Sequence, residues 1–148
     1  MKGNKLVAIL VALAVLAVAA AGGTLAYIYY QNTHIFVEGK AYPLDATNLD
    51  LRQEDISFAH YDAVHSQLPG CEVLWNVPFQ NKKVSNDSET LSIQNPSSED
   101  IRILQTYFPR LQSINATACD NYEALEKLQA ALPKVQVRYQ VALGGSFV

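Results

Sequence analysis

The chain has 148 residues, the length of a single domain, and 49% of them are hydrophobic whereas only 17% are charged. The hydrophobic residues are unevenly distributed, because 25 consecutive residues from Leu6 to Tyr30 carry no charge. The 118 residues after this segment carry nine basic and 14 acidic side chains, a net charge of −5 that argues against a nucleic-acid-binding protein. Two cysteines are too few for a scaffold held together by disulfides.

The uncharged segment, residues 6–30, is long enough to cross a membrane as a helix. At about 1.5 Å per residue it would be roughly 37 Å long, whereas the hydrocarbon core of a bilayer is about 30 Å thick. Tyr27, Tyr29 and Tyr30 lie near its end, and tyrosine favours the membrane interface. We predict a single membrane-spanning signal anchor; a signal peptide cleaved near Ala19–Ala21 is the alternative.

The charges around this segment predict its orientation. Lys2 and Lys5 precede it, whereas the flank after it holds more acidic than basic residues. Because the more positive flank stays in the cytoplasm, residues 1–5 are predicted to be a cytoplasmic tip and residues 31–148 an extracytoplasmic domain. The protein is therefore expected in the cell membrane, with its N-terminus inside and its C-terminal domain outside.

Residues 31–148 contain segments that are similar to one another. Residues 68–80 (LPGCEVLWNVPFQ) align without a gap over residues 132–144 (LPKVQVRYQVALG), at an offset of 64. Apolar and polar residues alternate in both copies, which predicts a half-buried strand. In the later copy this strand runs from Val135 to Val141, and its outer edge is expected to be open, so that the chain can self-associate through it.

A second match predicts small β-hairpins. Residues 36–51 lie over residues 79–93 with one residue deleted, and a third copy begins at Leu143. The copies begin 43 and 64 residues apart, so the second is expected to carry one additional helix-and-strand unit. Each copy opens on a turn, which predicts a hairpin there. The predicted turns are Glu38-Gly39, Gln80-Asn81 and Gly144-Gly145.

Three segments place apolar residues at three- and four-residue spacings, which predicts amphipathic helices. Each helix is predicted to end at an apolar residue followed by proline, because proline disfavours helical geometry in the residue before it. Capping-box signals, Ser97 with Asp100 and Asp120 with Glu123, precede two of them. The apolar faces are Phe58, Tyr61, Val64 and Leu68; Ile101, Leu104 and Phe108; and Tyr122, Leu125, Leu128 and Leu132, and the prolines are Pro69, Pro109 and Pro133.

The segment that begins at Pro109 resembles a leucine-rich repeat. Leu111, Ile114, Ala116 and Cys119 fall on the pattern L-x-x-L-x-L-x-x-(N/C), with Ala116 in place of a leucine. The resemblance implies that Leu111 and Ile114 are structural. It also implies a structural role for Cys119, which occupies the position of a buried Asn or Cys that bonds the loop backbone.

Two further segments, Asn48–Leu51 and Thr90–Ile93, are similar to the L-x-L core of the same repeat. At the asparagine position these units hold Glu54 and Pro96, and hairpins interrupt the series. Over residues 46–141 the chain resembles short, degenerate leucine-rich repeats of surface proteins from Gram-positive bacteria. The resemblance implies an α/β solenoid, with a parallel sheet on one side and helices on the other, and a role in protein binding.

The remaining cysteine and the single tryptophan each allow two interpretations. Cys71 matches Val135 in the alignment, which favours a small core residue; a disulfide with Cys119 outside the membrane is the alternative. Trp75 is expected to lie in the core or, if exposed on the sheet, to act as a binding anchor.

No residues form a recognisable catalytic or metal-binding motif. His60 and His65 are five residues apart and so lie on different helix faces, unlike the pair of a zinc-binding helix. The nucleophile-elbow motif does not occur. Glu54-Asp55 and Glu99-Asp100 precede predicted helices, where carboxylates favour the helix dipole, so we interpret them as caps. No catalytic residue, metal or cofactor is therefore expected.

These patterns predict a single-span membrane protein whose outer α/β domain binds a protein or cell-envelope partner without catalysis. One alternative is a cell-envelope hydrolase, or an accessory domain of one, with carboxylate pairs near the hairpins. Another is a truncated piece of a longer repeat protein. Two carboxylates that converge in a cleft, one with a raised pKa, would favour the enzyme, whereas a face without such a pair would favour binding.

Overall fold

The computed structural model describes residues 3–140 of the chain, with side chains from residue 8 onward. These residues form a mixed α/β structure with a long apolar helix at the N-terminus and small sheets. The helices are α1 (Gly3–Thr33), α2 (Phe58–Gln67), α3 (Ser98–Tyr107) and α4 (Tyr122–Ala131). The strands are β1 (His34–Val37), β2 (Lys40–Pro43), β3 (Asn48–Asp50), β4 (Glu72–Leu74), β5 (Asn76–Phe79), β6 (Lys82–Ser85), β7 (Thr90–Ser92), β8 (Ser113–Asn115) and β9 (Gln136–Arg138).

The described residues divide into two compact units. The first contains the residues up to Thr47 together with Asp62–Cys71, and the second contains Asn48–Tyr61 and the residues from Glu72 onward. Helix α1 and the strands β1 and β2 therefore belong to the first unit. The other strands, α3 and α4 belong to the second.

Helix α1 is apolar along almost its whole length. The stretch Ala8–Thr33 has 26 residues, a mean hydropathy of 2.4 in its most apolar part, and no residue buried there. A helix of this length and composition could span a membrane, and an N-terminal signal sequence has the same properties. The helix ends at Thr33, beyond the predicted end at Tyr30.

A two-residue turn joins β1 and β2 into an antiparallel hairpin in the first unit. Val37 pairs with Lys40, which leaves Glu38 and Gly39 as the turn. Their φ angles, 47° and 81°, are both positive, as a type I′ turn requires. The hairpin lies where the sequence predicts it.

Strands β5 and β6 form a matching hairpin in the second unit. Phe79 pairs with Lys82, and the turn residues Gln80 and Asn81 have φ angles of 44° and 62°. The two turns are thus 42 residues apart, rather than the 43 of the sequence match, and no deletion is needed. The sequence match is wrong by one residue because it aligned Phe36 with Phe79, whereas in the structure Phe79 corresponds to Val37.

Equivalent hydrogen bonds close both hairpins at the same offset of 42. The backbone N–H of Leu44 donates to the Thr33 carbonyl (2.8 Å), and the N–H of Asn86 donates to the Trp75 carbonyl (3.0 Å). The correspondence continues into the next strands, since β3 begins at Asn48 and β7 at Thr90. The repeat predicted from the sequence therefore exists as a repeated local structure.

Short parallel strands alternate with ten-residue helices in the second unit. Strand β3 pairs with β4, and β7, β8 and β9 form a parallel sheet in that order. The strands of the larger sheet begin at residues 90, 113 and 136, a regular spacing of 23, and β3 and β4 begin 24 residues apart. The central residue of each strand in the larger sheet is the least exposed of the three.

The strand predicted over residues 68–80 is two strands in the structure. Strand β4 is parallel to β3, whereas β5 is antiparallel to β6, so the chain changes strand partners at Trp75. The predicted alternation is nevertheless present, because Val73, Trp75, Val77 and Phe79 are all buried. The later copy contains β9, and the third hairpin predicted at Leu143–Val148 lies outside the described residues.

Helices α2, α3 and α4 are the three predicted helices, and each ends one residue before its apolar–proline pair. Pro69, Pro109 and Pro133 all lie on the surface directly after these ends. One residue of the predicted faces differs, because Tyr122 is 45% exposed while Ala124 is buried. Tyr122 is the first residue of α4.

The helix caps agree with the sequence in one helix and differ in two. Ser97 and Asp100 form the predicted capping box of α3. The N-cap of α4 is Asn121, not Asp120, since Asn121 Oδ1 accepts a hydrogen bond from the backbone N–H of Ala124 (3.1 Å). An N-cap must directly precede the first helical residue, and Asp120 lies one position too early.

The predicted cap at Glu54-Asp55 is also wrong. Helix α2 begins at Phe58, and Ser57 Oγ accepts the N–H of His60 (3.0 Å), which is the bond of a capping side chain. Asp55 instead pairs with Lys83, at 2.6 Å.

Four aromatic side chains form the centre of the second unit. The Trp75 indole is fully buried and stacks on Tyr61, with ring centroids 4.8 Å apart and planes 17° apart. Phe58 and Tyr107 contact the indole edge-on, at centroid distances of 5.4 Å and 5.7 Å. Such aromatic pairs add to the stabilisation from burial alone.

We predict that Leu104→Ala and Leu128→Ala each lower the free energy of unfolding by about 2–5 kcal/mol, because truncating a buried leucine leaves a cavity. The two side chains are only 1% and 0% exposed. Lys127→Ala is the control, since Lys127 lies on the surface beside Leu128 and should leave the stability nearly unchanged. Denaturant unfolding of the full chain in detergent measures this, and equal losses at Lys127 and Leu128 would contradict the assigned helix face.

Candidate binding surface

The outer face of the sheet β7–β8–β9 is entirely polar. In each strand the central residue is directed into the protein, so the residues on either side of it are directed outward. None of the outward residues is acidic, and one is a cation. They are Thr90 and Ser92 of β7, Ser113 and Asn115 of β8, and Gln136 and Arg138 of β9. We call these six residues the polar face.

Hydrogen bonds hold several of these side chains in place. The hydroxyls of Thr90 and Ser113 are 2.9 Å apart, across neighbouring strands. Asn115 Oδ1 accepts hydrogen bonds from the backbone N–H of Thr117 (3.1 Å) and from its hydroxyl (2.8 Å). The small side chains leave a shallow depression of about 480 Å³ that extends to Arg138. Three of the six side chains of the polar face, Thr90, Ser113 and Asn115, are therefore held by hydrogen bonds.

A groove of about 690 Å³ adjoins the polar face. It lies between the tip of the hairpin β5–β6 and the ends of β7 and β8, and it shares Ser92, Asn115 and Thr117 with the depression. Its apolar lining includes Phe79, Leu91 and Ile93, and its polar lining includes Gln80, Asn81, Lys82, Gln94, Asn95 and Asp100.

The side chain of Gln80 fixes one wall of this groove. Its Nε2 donates to the carbonyl oxygen of Gln94 (2.6 Å), and the N–H of Gln94 donates to its Oε1 (3.0 Å). This pair of bonds imitates the backbone pairing of two strands. The turn that contains Gln80 is thereby attached to the end of β7.

Three acidic side chains of the second unit, Asp55, Glu99 and Asp100, are bonded to neighbouring groups. Asp100 lines the groove, but its carboxylate is occupied by the capping box with Ser97. Arg102 lowers the pKa of Glu99, and Lys83 lowers that of Asp55. Both carboxylates therefore favour the ionised form.

The smaller sheet β3–β4 differs from the polar face because it carries ion pairs. Arg52 bonds Asp50 at 2.6 Å and approaches Asp87 at 3.6 Å, and Arg110 pairs with Glu72. The hydrogen bond from Arg52 lowers the pKa of Asp50 to about 2. Charged side chains on this sheet therefore already have partners, whereas the polar face has mainly hydroxyl and amide groups.

Cys119 has a structural environment. The side chain is buried, and its Sγ lies 3.6 Å from the carbonyl oxygen of Ile93, which it can bond as a donor. Burial raises the pKa of the Cys119 thiol. Leu111 and Ile114 are buried. Cys71 is also buried, and both cysteines are present as thiols rather than as a disulfide.

Asn95 holds the loop that follows Cys119, a role that the sequence pattern did not indicate. Its Oδ1 accepts the backbone N–H groups of Asp120 (3.0 Å) and Asn121 (3.1 Å), and its Nδ2 donates to the Asp120 carboxylate (2.7 Å). The repeat pattern placed its asparagine one residue later, at Pro96. Asn95 has a φ of 24°, and the tolerance of asparagine for positive φ is a sequence signal that could have indicated a tight turn.

Asn86 is a second structural asparagine that the sequence did not reveal. It is only 4% exposed. Its Oδ1 accepts a hydrogen bond from the backbone N–H of Trp75 (3.0 Å), and its Nδ2 donates to the backbone carbonyl of Val73 (2.8 Å). Trp75 itself has no accessible surface, so it contributes to the core and not to an exposed binding anchor. Its indole Nε1 has no hydrogen-bond partner among the described residues.

Comparisons of the chain with protein-family models, curated proteins and solved structures give no match. Within residues 3–140, no three His, Cys, Asp or Glu side chains are grouped so that they could hold a metal ion.

We predict that Cys119 reacts at least about tenfold more slowly with a maleimide than an exposed thiol does, because the thiolate is the reactive form and burial disfavours it. Ser92→Cys on the polar face provides the exposed control thiol. Mass spectrometry of the full chain after timed labelling compares the two sites, with and without denaturant. Equal native rates at Cys119 and at the control site would contradict the structural role of Cys119.

Proposed function

We propose that this chain is a membrane-anchored binding module, with α1 as a retained anchor and residues 31–148 as a leucine-rich-repeat-like domain outside the cytoplasm. Three observations support the repeat-like architecture. The parallel strands recur every 23 or 24 residues, within the 20–29 residues of leucine-rich repeats. A ten-residue helix separates the strands of the larger sheet, and Cys119 bonds the loop backbone as the pattern requires.

The observation that carries the binding proposal is the polar face together with its groove. A groove of about 690 Å³ lies within the range of small-ligand sites, roughly 300–1,000 Å³. Hydroxyl, amide and guanidinium groups bind partners that offer many hydrogen-bonding groups, such as an extended peptide or a cell-envelope polymer. Because Asn115 and Thr90 are already held by hydrogen bonds, binding would cost little side-chain entropy.

Binding, rather than hydrolysis, is the function that this site supports. Hydrolysis by paired carboxylates needs two acidic groups near one cleft, one of them with a raised pKa. Among the described residues that line the groove, Asp100 is the one acidic residue, and its carboxylate is bonded to Ser97. The polar face adds no carboxylate.

We predict that a photo-crosslinking amino acid at Ser113, in the middle of the polar face, forms adducts with a specific partner in cells that naturally express the protein. The matched control is the same amino acid at Glu126, which is exposed on α4. Adducts from Ser113 should decrease when Asn115→Lys adds bulk and charge beside it. Equal adduct yields at Ser113 and Glu126 would overturn the assignment of the polar face.

The proposed orientation predicts which cysteines a membrane-impermeant maleimide reaches in intact spheroplasts. Ser92→Cys should be labelled without lysis, whereas Asn4→Cys, before the apolar run, should be labelled only after the membrane is broken. The reverse pattern would contradict the orientation. A purified protein that lacks residue 4 would show instead that the N-terminal segment is cleaved.

A further inference from the structure

The hairpin β1–β2 follows the apolar helix without an intervening loop. Helix α1 ends at Thr33 and β1 begins at His34. The N–H of Leu44, directly after β2, donates to the Thr33 carbonyl at 2.8 Å. Both ends of the hairpin are therefore attached to the end of the helix.

Aromatic contacts strengthen this junction. The ring of Tyr30 stacks on His34, with centroids 4.0 Å apart, and meets Phe36 edge-on at 5.8 Å. His34 Nδ1 also lies 3.1 Å from the Tyr30 carbonyl oxygen and 3.0 Å from the Thr33 hydroxyl. These contacts hold the hairpin in one orientation relative to the last turn of α1.

The hairpin presents large apolar side chains to its surroundings. Phe36 is 48% exposed and Leu44 is 49% exposed, although Ile35, Val37 and Tyr42 of the same hairpin are buried. The neighbouring helix turn adds exposed aromatic residues, Tyr27 and Tyr29.

The second hairpin serves as an internal control for these residues. At the offset of 42, Phe36 corresponds to Pro78, Ala41 to Lys83 and Leu44 to Asn86. The second hairpin has the same register and turn without the exposed phenylalanine and leucine. Phe36 and Leu44 are therefore not required to form the hairpin, and their exposure needs another explanation.

The length of the apolar helix offers an explanation for the exposed Phe36 and Leu44. At about 1.5 Å per residue, the 26 residues Ala8–Thr33 extend roughly 39 Å, which exceeds the approximately 30 Å of the hydrocarbon core. The end of the helix and the attached hairpin would then lie in the headgroup region, where aromatic side chains are favoured.

We propose that the hairpin β1–β2 lies in the lipid–water interface, with Phe36 and Leu44 inserted between phospholipid headgroups. This proposal rests on the membrane anchor proposed above and extends it. The partner of this surface is the bilayer itself. The second hairpin, with Lys82 and Lys83, would remain in water.

The test places an environment-sensitive fluorophore at equivalent positions of the two hairpins. Full-length Ala41→Cys and Lys83→Cys are labelled and reconstituted into phosphatidylcholine–phosphatidylglycerol vesicles that contain lipids with a nitroxide near the headgroup. We expect at least about twofold stronger quenching at residue 41 than at residue 83, because only the first hairpin would contact the interface. Phe36→Ser with Leu44→Ser should reduce the quenching at residue 41.

The possible negative results distinguish a failure of the hairpin proposal from a failure of the membrane anchor. Equal, weak quenching at both sites in a protein that sediments with the vesicles would overturn the interfacial hairpin and leave the anchor intact. A protein that stays in solution would overturn both. The native cysteines Cys71 and Cys119 are buried, so labelling the folded protein favours the introduced thiol. Both labelled proteins retain Phe36 and Leu44, so the comparison does not depend on the folding of the double-serine variant.

Discussion

Both main-chain polar groups of Trp75 bond to one residue, Asn86, and the second unit depends on this connection. Trp75 is the point where the chain leaves the parallel strand β4 and enters the hairpin β5–β6, and Asn86 is the point where the hairpin ends. Asn86 also bonds the carbonyl of Val73. Leaving such buried groups unsatisfied costs about 1–3 kcal/mol each, so the hairpin is closed where the strand ends. The indole of Trp75 can then pack on Tyr61, Phe58 and Tyr107.

The proposed binding surface follows from this arrangement. Since the hairpin is closed at its base, its tip can reach the end of β7, where Gln80 bonds the backbone of Gln94. The groove is the space between that tip and the strand ends. Beside it, the period of two along each strand separates buried Leu91 and Ile114 from the polar side chains outside. No single sequence motif encodes this surface.

The first unit follows a different physical constraint. No described residue in the apolar stretch Ala8–Val18 or Leu25–Tyr30 of α1 is buried, and a helix of this length and composition could span a membrane or serve as a signal sequence. The hairpin at its end is the same local structure as β5–β6, but with Phe36 and Leu44 where the other copy has Pro78 and Asn86. The two hairpins thus share a backbone structure but differ in surface. The copy next to α1 exposes apolar side chains, whereas β5–β6 has proline and asparagine at these positions.

Local signals in the sequence determined the ends of α2, α3 and α4, the two hairpin turns, the capping box at Ser97 and the presence of the apolar helix, although not its end at Thr33. These features depend on residues close together in the chain, such as the restriction that Pro109 places on Phe108. The tertiary structure alone decided the change of strand partner at Trp75, the offset of 42 between hairpins, and the roles of Asn86 and Asn95. It also decided the polar face and the groove. These features are set by hydrogen bonds between residues 11 to 26 positions apart, and an alternating pattern specifies which residues are buried without specifying the strand that they pair with.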